Sequence, residues 1–195
     1  MSTLIGPAAR THRALSAKVA RHLASSAPLR LFFSGDPGTG KSTVAALLAR
    51  QLAGHALATE KINGADVGAE TIREWTTGFL TPSLFSDWRV LLIEEADRIS
   101  PQAQVLILTL LDDLPPCRAV FCTSNLQTAD LTARFQTRFQ LFEFKGPTEK
   151  EIAAYLQPLF PGVPTMTLNK IAQDCLGNVR AALLDAESAA DFAAA

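Results

Sequence analysis

Apolar residues in this chain come in short, dense runs separated by stretches of helical period. Residues 29–33, 88–93 and 119–123 are compact and rich in Leu, Ile, Val and Phe, and together with residues 58–62 and 140–144 they predict five strands. Between them, residues 42–52, 69–76 and 101–111 predict helices. Ser100 is placed to cap the last of these, with Pro101 in its first turn. After Gly146-Pro147 the strand pattern stops, and residues 149–160, 167–175 and 178–192 predict three helices. Near the start, residues 8–25 predict an amphipathic helix docked on the core. Leu15, Val19 and Leu23 share one face, and Arg10, Arg13, Lys18 and Arg21 lie on the opposite arc. Strands this apolar, separated by helices, predict a parallel sheet covered on both faces. The expected organisation is an α/β domain over residues 1–146 and a small three-helix domain over residues 147–195.

The first chemistry lies between the first strand and the first core helix. Gly35-Asp36-Pro37-Gly38-Thr39-Gly40-Lys41-Ser42-Thr43 has the spacing of a phosphate-binding loop, in the strand–loop–helix context that such a loop requires. Glycines at 35, 38 and 40 let the backbone curl so that successive N–H groups converge on phosphate oxygens. The helix N-terminus adds a fixed partial positive charge. Lys41 reaches the outer phosphates, and the Ser42 hydroxyl is a magnesium ligand of the expected hard-oxygen type. The fold class that follows is a P-loop NTPase: a parallel sheet flanked by helices, with the small helical domain as a lid. ATP or ADP with Mg2+ is the expected cofactor set.

The second chemistry closes the third strand. Val90-Leu91-Leu92-Ile93 runs into Glu94-Glu95-Ala96-Asp97, which places acid groups at a strand's C-terminal edge, where ligands bind in open α/β sheets. Glu94 is expected to hold magnesium through its water shell. Glu95, and neither Glu94 nor Asp97, is expected to polarise the attacking water.

Composition narrows the setting. The chain has 195 residues, 48% of them hydrophobic, which is enough for one domain with a small appendage. A net charge of -1 provides no global field for nucleic acid or membrane. No acidic residue precedes Asp36, a bias that resembles a transit peptide in composition, but the helical spacing of Leu15 and Val19 argues for a structural helix with a basic outer face. Cys117, Cys122 and Cys175 lack metal-site spacing and imply a reduced compartment: cytoplasm, or nucleus in a eukaryote, and not secretion. No apolar run is long enough to span a bilayer.

These residues together resemble an AAA+ ATPase, and within that superfamily the clamp-loader branch, the replication factor C small subunits and their bacterial counterparts. Leu4-Ile5-Gly6 matches the family's opening segment near the adenine. Ile62-Asn63-Gly64-Ala65-Asp66, followed by Glu70-Thr71-Ile72-Arg73-Glu74, resembles the clamp-loader stretch Asn-Ala-Ser-Asp then Ile-Arg-Glu. Glu94-Glu95-Ala96-Asp97 stands where the family has Asp-Glu-Ala-Asp, and Ala103-Gln104 fits the helix after it. Thr123-Ser124-Asn125 matches sensor 1, Thr137-Arg138-Phe139 the Ser-Arg-Cys motif, and Gly177-Asn178-Val179-Arg180 the sensor 2 motif.

The resemblance implies roles. Asn125 would orient the hydrolytic water or sense the γ-phosphate. Arg180 would contact the phosphates from the lid. Arg138 would be an arginine finger serving a neighbouring subunit's site, with Arg134 as its rival; the apolar strand that follows Arg138 at the family's distance favours Arg138. An oligomer, homomeric or heteromeric, is implied, with a sliding clamp and primer-template DNA as partners and no membrane.

The departures are specific. Glu94 replaces the usual Asp, shifting the magnesium-side carboxylate by about a bond length. Asp36 stands where the family often has Pro. Val67 occupies a loop position where clamp loaders often place a DNA-facing basic residue. The clamp loaders' collar domain and zinc ribbon have no counterpart in the sequence. The expected function is an ATPase that hydrolyses ATP with Mg2+ to drive assembly or remodelling of a DNA-associated complex. The alternative is a nucleotide-binding switch or scaffold subunit with little turnover of its own. A protein unfoldase is disfavoured, because residues 63–74 contain no aromatic-apolar-Gly pore loop.

Overall fold

A computed structural model of the chain describes residues 4–81, 85–125 and 131–194. Five strands form one fully parallel sheet: β1 (Leu29–Gly35), β2 (Thr59–Asn63), β3 (Arg89–Glu94), β4 (Arg118–Thr123) and β5 (Gln140–Phe144). Their spatial order is β2-β3-β4-β1-β5, so β1 is an interior strand, and the phosphate-binding sequence leaves from between β4 and β5. The helices are α1 (Gly6–Ser25), α2 (Lys41–Ala53), α3 (Ala69–Leu80), α4 (Pro101–Asp112), α5 (Ala133–Gln136), α6 (Glu149–Leu159), α7 (Thr165–Asp174) and α8 (Val179–Ala194).

The period-two alternation of the strands divides the core in two. Leu31, Phe33, Val90, Leu92, Ala119 and Phe121 face α1 and α2, where Val19, Val44 and Leu48 close the layer. Phe32, Leu91, Ile93, Val120 and Cys122 face the other way, against Ile72, Trp75, Ile107 and Phe135 of α3, α4 and α5. Both faces are covered over the inner strands, which is why β3 and β4 read as dense apolar runs, while the edge strands β2 and β5 carry polar residues. A third cluster, with Ile152, Leu156, Leu168, Ala182 and Ala186 fully or almost fully buried, holds α6, α7 and α8 together.

Local chemistry sets the helix ends. Ser100 caps α4 by accepting from the Ala103 N–H, with Pro101 in the first turn. Thr148 and Glu151 form a reciprocal capping box at the start of α6. Arg10 of α1 reaches the same Glu151 at 3.1 Å, so the first helix is tied to the C-terminal helices. Leu23 departs from expectation. Burial along α1 stops at Val19, and Leu23, one turn further on, remains 38% exposed. The last turn of α1 is held instead by a 2.9 Å hydrogen bond between His22 Nδ1 and the Ala27 carbonyl.

The end of the sheet opposite the strands' C-terminal edge carries a buried cation. Arg118, 7% exposed, donates from Nε to the Phe79 carbonyl at 2.8 Å and from Nη1 to the Asp87 and Cys117 carbonyls at 3.1 and 3.0 Å. It therefore joins the end of α3, the approach to β3 and the start of β4 through carbonyl oxygens. Among the described residues no helix is long and apolar enough to cross a membrane.

Candidate nucleotide site

The C-terminal edge of the sheet opens into a cavity of about 800 Å³. Its floor is the loop between β1 and α2. Gly35, Gly38 and Gly40 all adopt positive φ (136°, 77° and 94°), the conformation the curled loop demands. The loop is tightly enclosed: a Cβ at Gly35 would lie 2.2 Å from the Phe144 carbonyl oxygen, and one at Gly38 would lie 1.7 Å from Asn178 Oδ1. The start of α8 therefore rests directly on the loop, and the Val179 N–H donates to the Gly38 carbonyl at 3.2 Å.

Pro37 through Thr43 line the cavity, as do Ile5, Glu94, Glu95, Asn125 and Arg180. Gly35 and Asp36 form the entry to the loop, and the Asp36 carbonyl accepts from Thr39 Oγ1 at 2.8 Å and from Lys41 Nζ at 2.7 Å. Lys41 is only 4% exposed. Burial pulls its ammonium down to about 8, against the opposing Asp36 carboxylate, and the Arg180 guanidinium adds to the depression. A buried Lys41 and an exposed Arg180 lining one cavity make a site suited to a polyphosphate.

The two carboxylates after β3 are held differently. Glu94 lies on the same sheet face as Leu92 and pairs with Lys61 Nζ at 2.8 Å. Glu95 adopts φ 52°, a left-handed backbone that turns its side chain out of the strand's alternation. Its Oε2 accepts from Asn63 Nδ2 at 3.0 Å and from Arg98 Nη1 at 2.9 Å. The Asn63 amide and then Arg98 hold the Glu95 carboxyl below the usual glutamate range. Asp97 does not enter the cavity lining; its Oδ1 accepts from the Asn125 N–H at 3.3 Å and so braces the end of β4.

Arg138 is the one candidate that lies outside this group. Its Nε and Nη2 each donate at 3.0 Å to one of the two carboxylate oxygens of Asp112, and Nη1 donates to the Arg134 carbonyl at 3.2 Å. It does not line the cavity of its own chain.

Several lining residues escape sequence reasoning. Lys61 of β2 lines the cavity, and Asn63, two residues on and on the same face, reaches it only through its bond to Glu95. Ala8, Pro147, Tyr155 and Leu183 supply apolar wall beside Leu4 and Ile5, the two that the opening motif did point to. Tyr155 and Leu183 come from α6 and α8, so this wall is shared between the N-terminal segment and the C-terminal helices. Ser42 and Glu94 contribute oxygen donors to the same cavity, the hard donor type that magnesium takes.

Comparison with known proteins agrees with this geometry. Residues 31–147 match the model of the ATPase family associated with various cellular activities (AAA). The chain is similar to replication factor C subunit 4 of Encephalitozoon cuniculi, 34% identical over 76 residues, a stretch covering 38% of this chain and 25% of that protein. Its fold is similar to a DNA polymerase III gamma subunit-related protein of Thermotoga maritima, with a TM-score of 0.67 and 14% identity over 91% of this chain and 59% of that one. It is also similar to a RuvB variant of Thermotoga maritima, with a TM-score of 0.76 and 17% identity over 94% of this chain and 61% of that one. The chain thus spans less than two thirds of these relatives' length. Matched over the strands, the phosphate loop and the paired carboxylates, the chain belongs to the AAA family of ATPases and carries that family's nucleotide-binding core.

Proposed function

We propose that this chain hydrolyses ATP with Mg2+ and uses the cycle to assemble or remodel a DNA-associated complex, in the manner of a clamp-loader subunit. The observation that carries the reading is the convergence of Lys41, Ser42, Glu94, Glu95, Asn125 and Arg180 on one cavity beneath a glycine-rich loop.

Each group has a task that its surroundings suit. The loop N–H groups and Lys41 bind the β- and γ-phosphates. Ser42 and Glu94 would hold magnesium, which supplies charge neutralisation across the phosphate oxygens. Glu95, ionised and oriented by Asn63, accepts a proton from the attacking water. Asn125, braced by Asp97, orients that water. Arg180 contacts the phosphates from the start of α8, and residues 147–195 act as a lid that follows nucleotide state. Arg138 completes a neighbouring subunit's site, which makes an oligomer the working form; a sliding clamp and primer-template DNA are the partners.

Lys41→Ala is expected to abolish nucleotide binding, and Glu95→Gln to keep binding while losing about a hundredfold or more in turnover. Calorimetric ADP titrations and a phosphate-release assay separate the two. Undiminished affinity in Lys41→Ala refutes the site. A second reading, a nucleotide switch or scaffold with little turnover, is favoured by the engagement of both Glu94 and Arg138 in ion pairs. Tight ADP binding without measurable turnover in the oligomer would select it.

A further inference from the structure

Lys61 is an unassigned cation at the phosphate end of the cavity. It comes from β2, two residues before Asn63, on the sheet face that also carries Glu94. Its Nζ lies 2.8 Å from Glu94 Oε2, and both side chains line the cavity. Glu94 is 24% exposed and Lys61 is 59% exposed, so the pair sits at the cavity mouth, with the carboxylate the more enclosed partner. Among the described residues this is the contact that neutralises Glu94 within the chain. A carboxylate used to hold a divalent cation's water shell needs its oxygens open to that shell, and an ammonium at hydrogen-bond distance takes one of them.

We infer that Lys61 is a positioning residue that clips Glu94 and lowers the dependence of nucleotide binding on magnesium. This rests on the proposed nucleotide site and deepens it. Two effects act in the same direction. Lys61 competes with the metal for a Glu94 oxygen and repels a second cation placed beside it, which weakens the contribution of Mg2+. Lys61 also faces the phosphates with a full positive charge, which strengthens nucleotide binding without metal.

The test is the ratio of the ADP dissociation constant in EDTA to that in excess Mg2+, measured by calorimetry on the full chain. Lys61→Met keeps the aliphatic stem and removes the charge. It is expected to raise the ratio about fivefold, the scale of a partly exposed ion pair together with the lost phosphate attraction. In a Glu94→Gln background, Lys61→Met should change the ratio by a clearly smaller factor, because only its attraction for the phosphates is then left to lose. A ratio unchanged by Lys61→Met overturns the inference while leaving the nucleotide site standing. An equal change with and without Glu94 overturns it too, because Lys61 would then act on the phosphates alone. Failure of the unmodified chain to bind ADP in either condition refutes the site itself and removes the inference with it.

Discussion

Asn63 Nδ2 donates to Glu95 Oε2 across 3.0 Å, so the end of β2 holds the carboxylate that follows β3. The same amide oxygen of Asn63 accepts from the Ala65 N–H at 3.0 Å, which fixes the orientation of the donor. A group from one strand therefore governs both the position and the proton affinity of the proposed base on the next.

Asn63→Ala is expected to raise the Glu95 pKa toward the ordinary glutamate value. The donor stabilises the ionised form, so its loss brings protonation at a higher pH. The acid limb of the pH–turnover profile should move upward, with nucleotide affinity unchanged. A profile with its acid limb in the wild-type position would exclude this role.

Lys41 has the opposite problem. Its ammonium is held down to about 8 by burial, and bound phosphates favour its charged form. Nucleotide binding must then raise its pKa and take up a proton above that pH. Affinity should fall by up to about tenfold per pH unit beyond about 8. Titrations in buffers of different ionisation enthalpy near pH 8.5 should report the uptake. Affinity constant through this range would contradict the assignment.

Arg138 makes a two-pronged pair with Asp112 and faces away from its own cavity. If it acts on a neighbour, turnover per subunit should rise with protein concentration. Arg138→Ala should lose about a thousandfold in rate and keep nucleotide affinity. Mixing that variant with Glu95→Gln should restore part of the activity, since some mixed interfaces join an intact site to an intact finger. Concentration-independent, Arg138-independent turnover by a monomer would refute the trans arrangement.

Gly35→Ala should destabilise the whole domain. The added Cβ meets the Phe144 carbonyl at 2.2 Å in a backbone of φ 136°. The contact joins β1 to the last residue of β5, and neither backbone yields cheaply. A loss of about 2 kcal/mol or more is expected in denaturant unfolding.

Much of the architecture is written in local pattern. The apolar runs of β3 and β4 are unbroken because both faces of the sheet are covered, and Ser100 with Pro101 marks the start of α4 by local chemistry alone. The phosphate loop is legible because its glycines, Lys41 and Ser42 act within one turn of chain. What escapes is chemistry assembled across elements. Nothing in the spacing of Lys61 and Glu94, or of Asn63 and Glu95, announces that β2 lies beside β3 in parallel register. Gly38 gives no hint that Asn178 packs on it. Leu23 obeys the helical period yet stays exposed, because periodicity fixes which face a residue occupies and not how far the neighbouring layer extends.

Arg118 gives the molecule a division of labour with a genetic meaning. It gathers carbonyls from three segments at the end of the sheet away from the nucleotide, and it has no part in the cavity. Removing its side chain would break those bonds and shorten the protein's life in the cell, while each surviving molecule would turn over nucleotide as before. A loss-of-function allele at Arg118 would thus register as scarcity of the protein. The same phenotype at Lys41 or Glu95 would appear at undiminished abundance, and measuring both quantities tells the two kinds of allele apart.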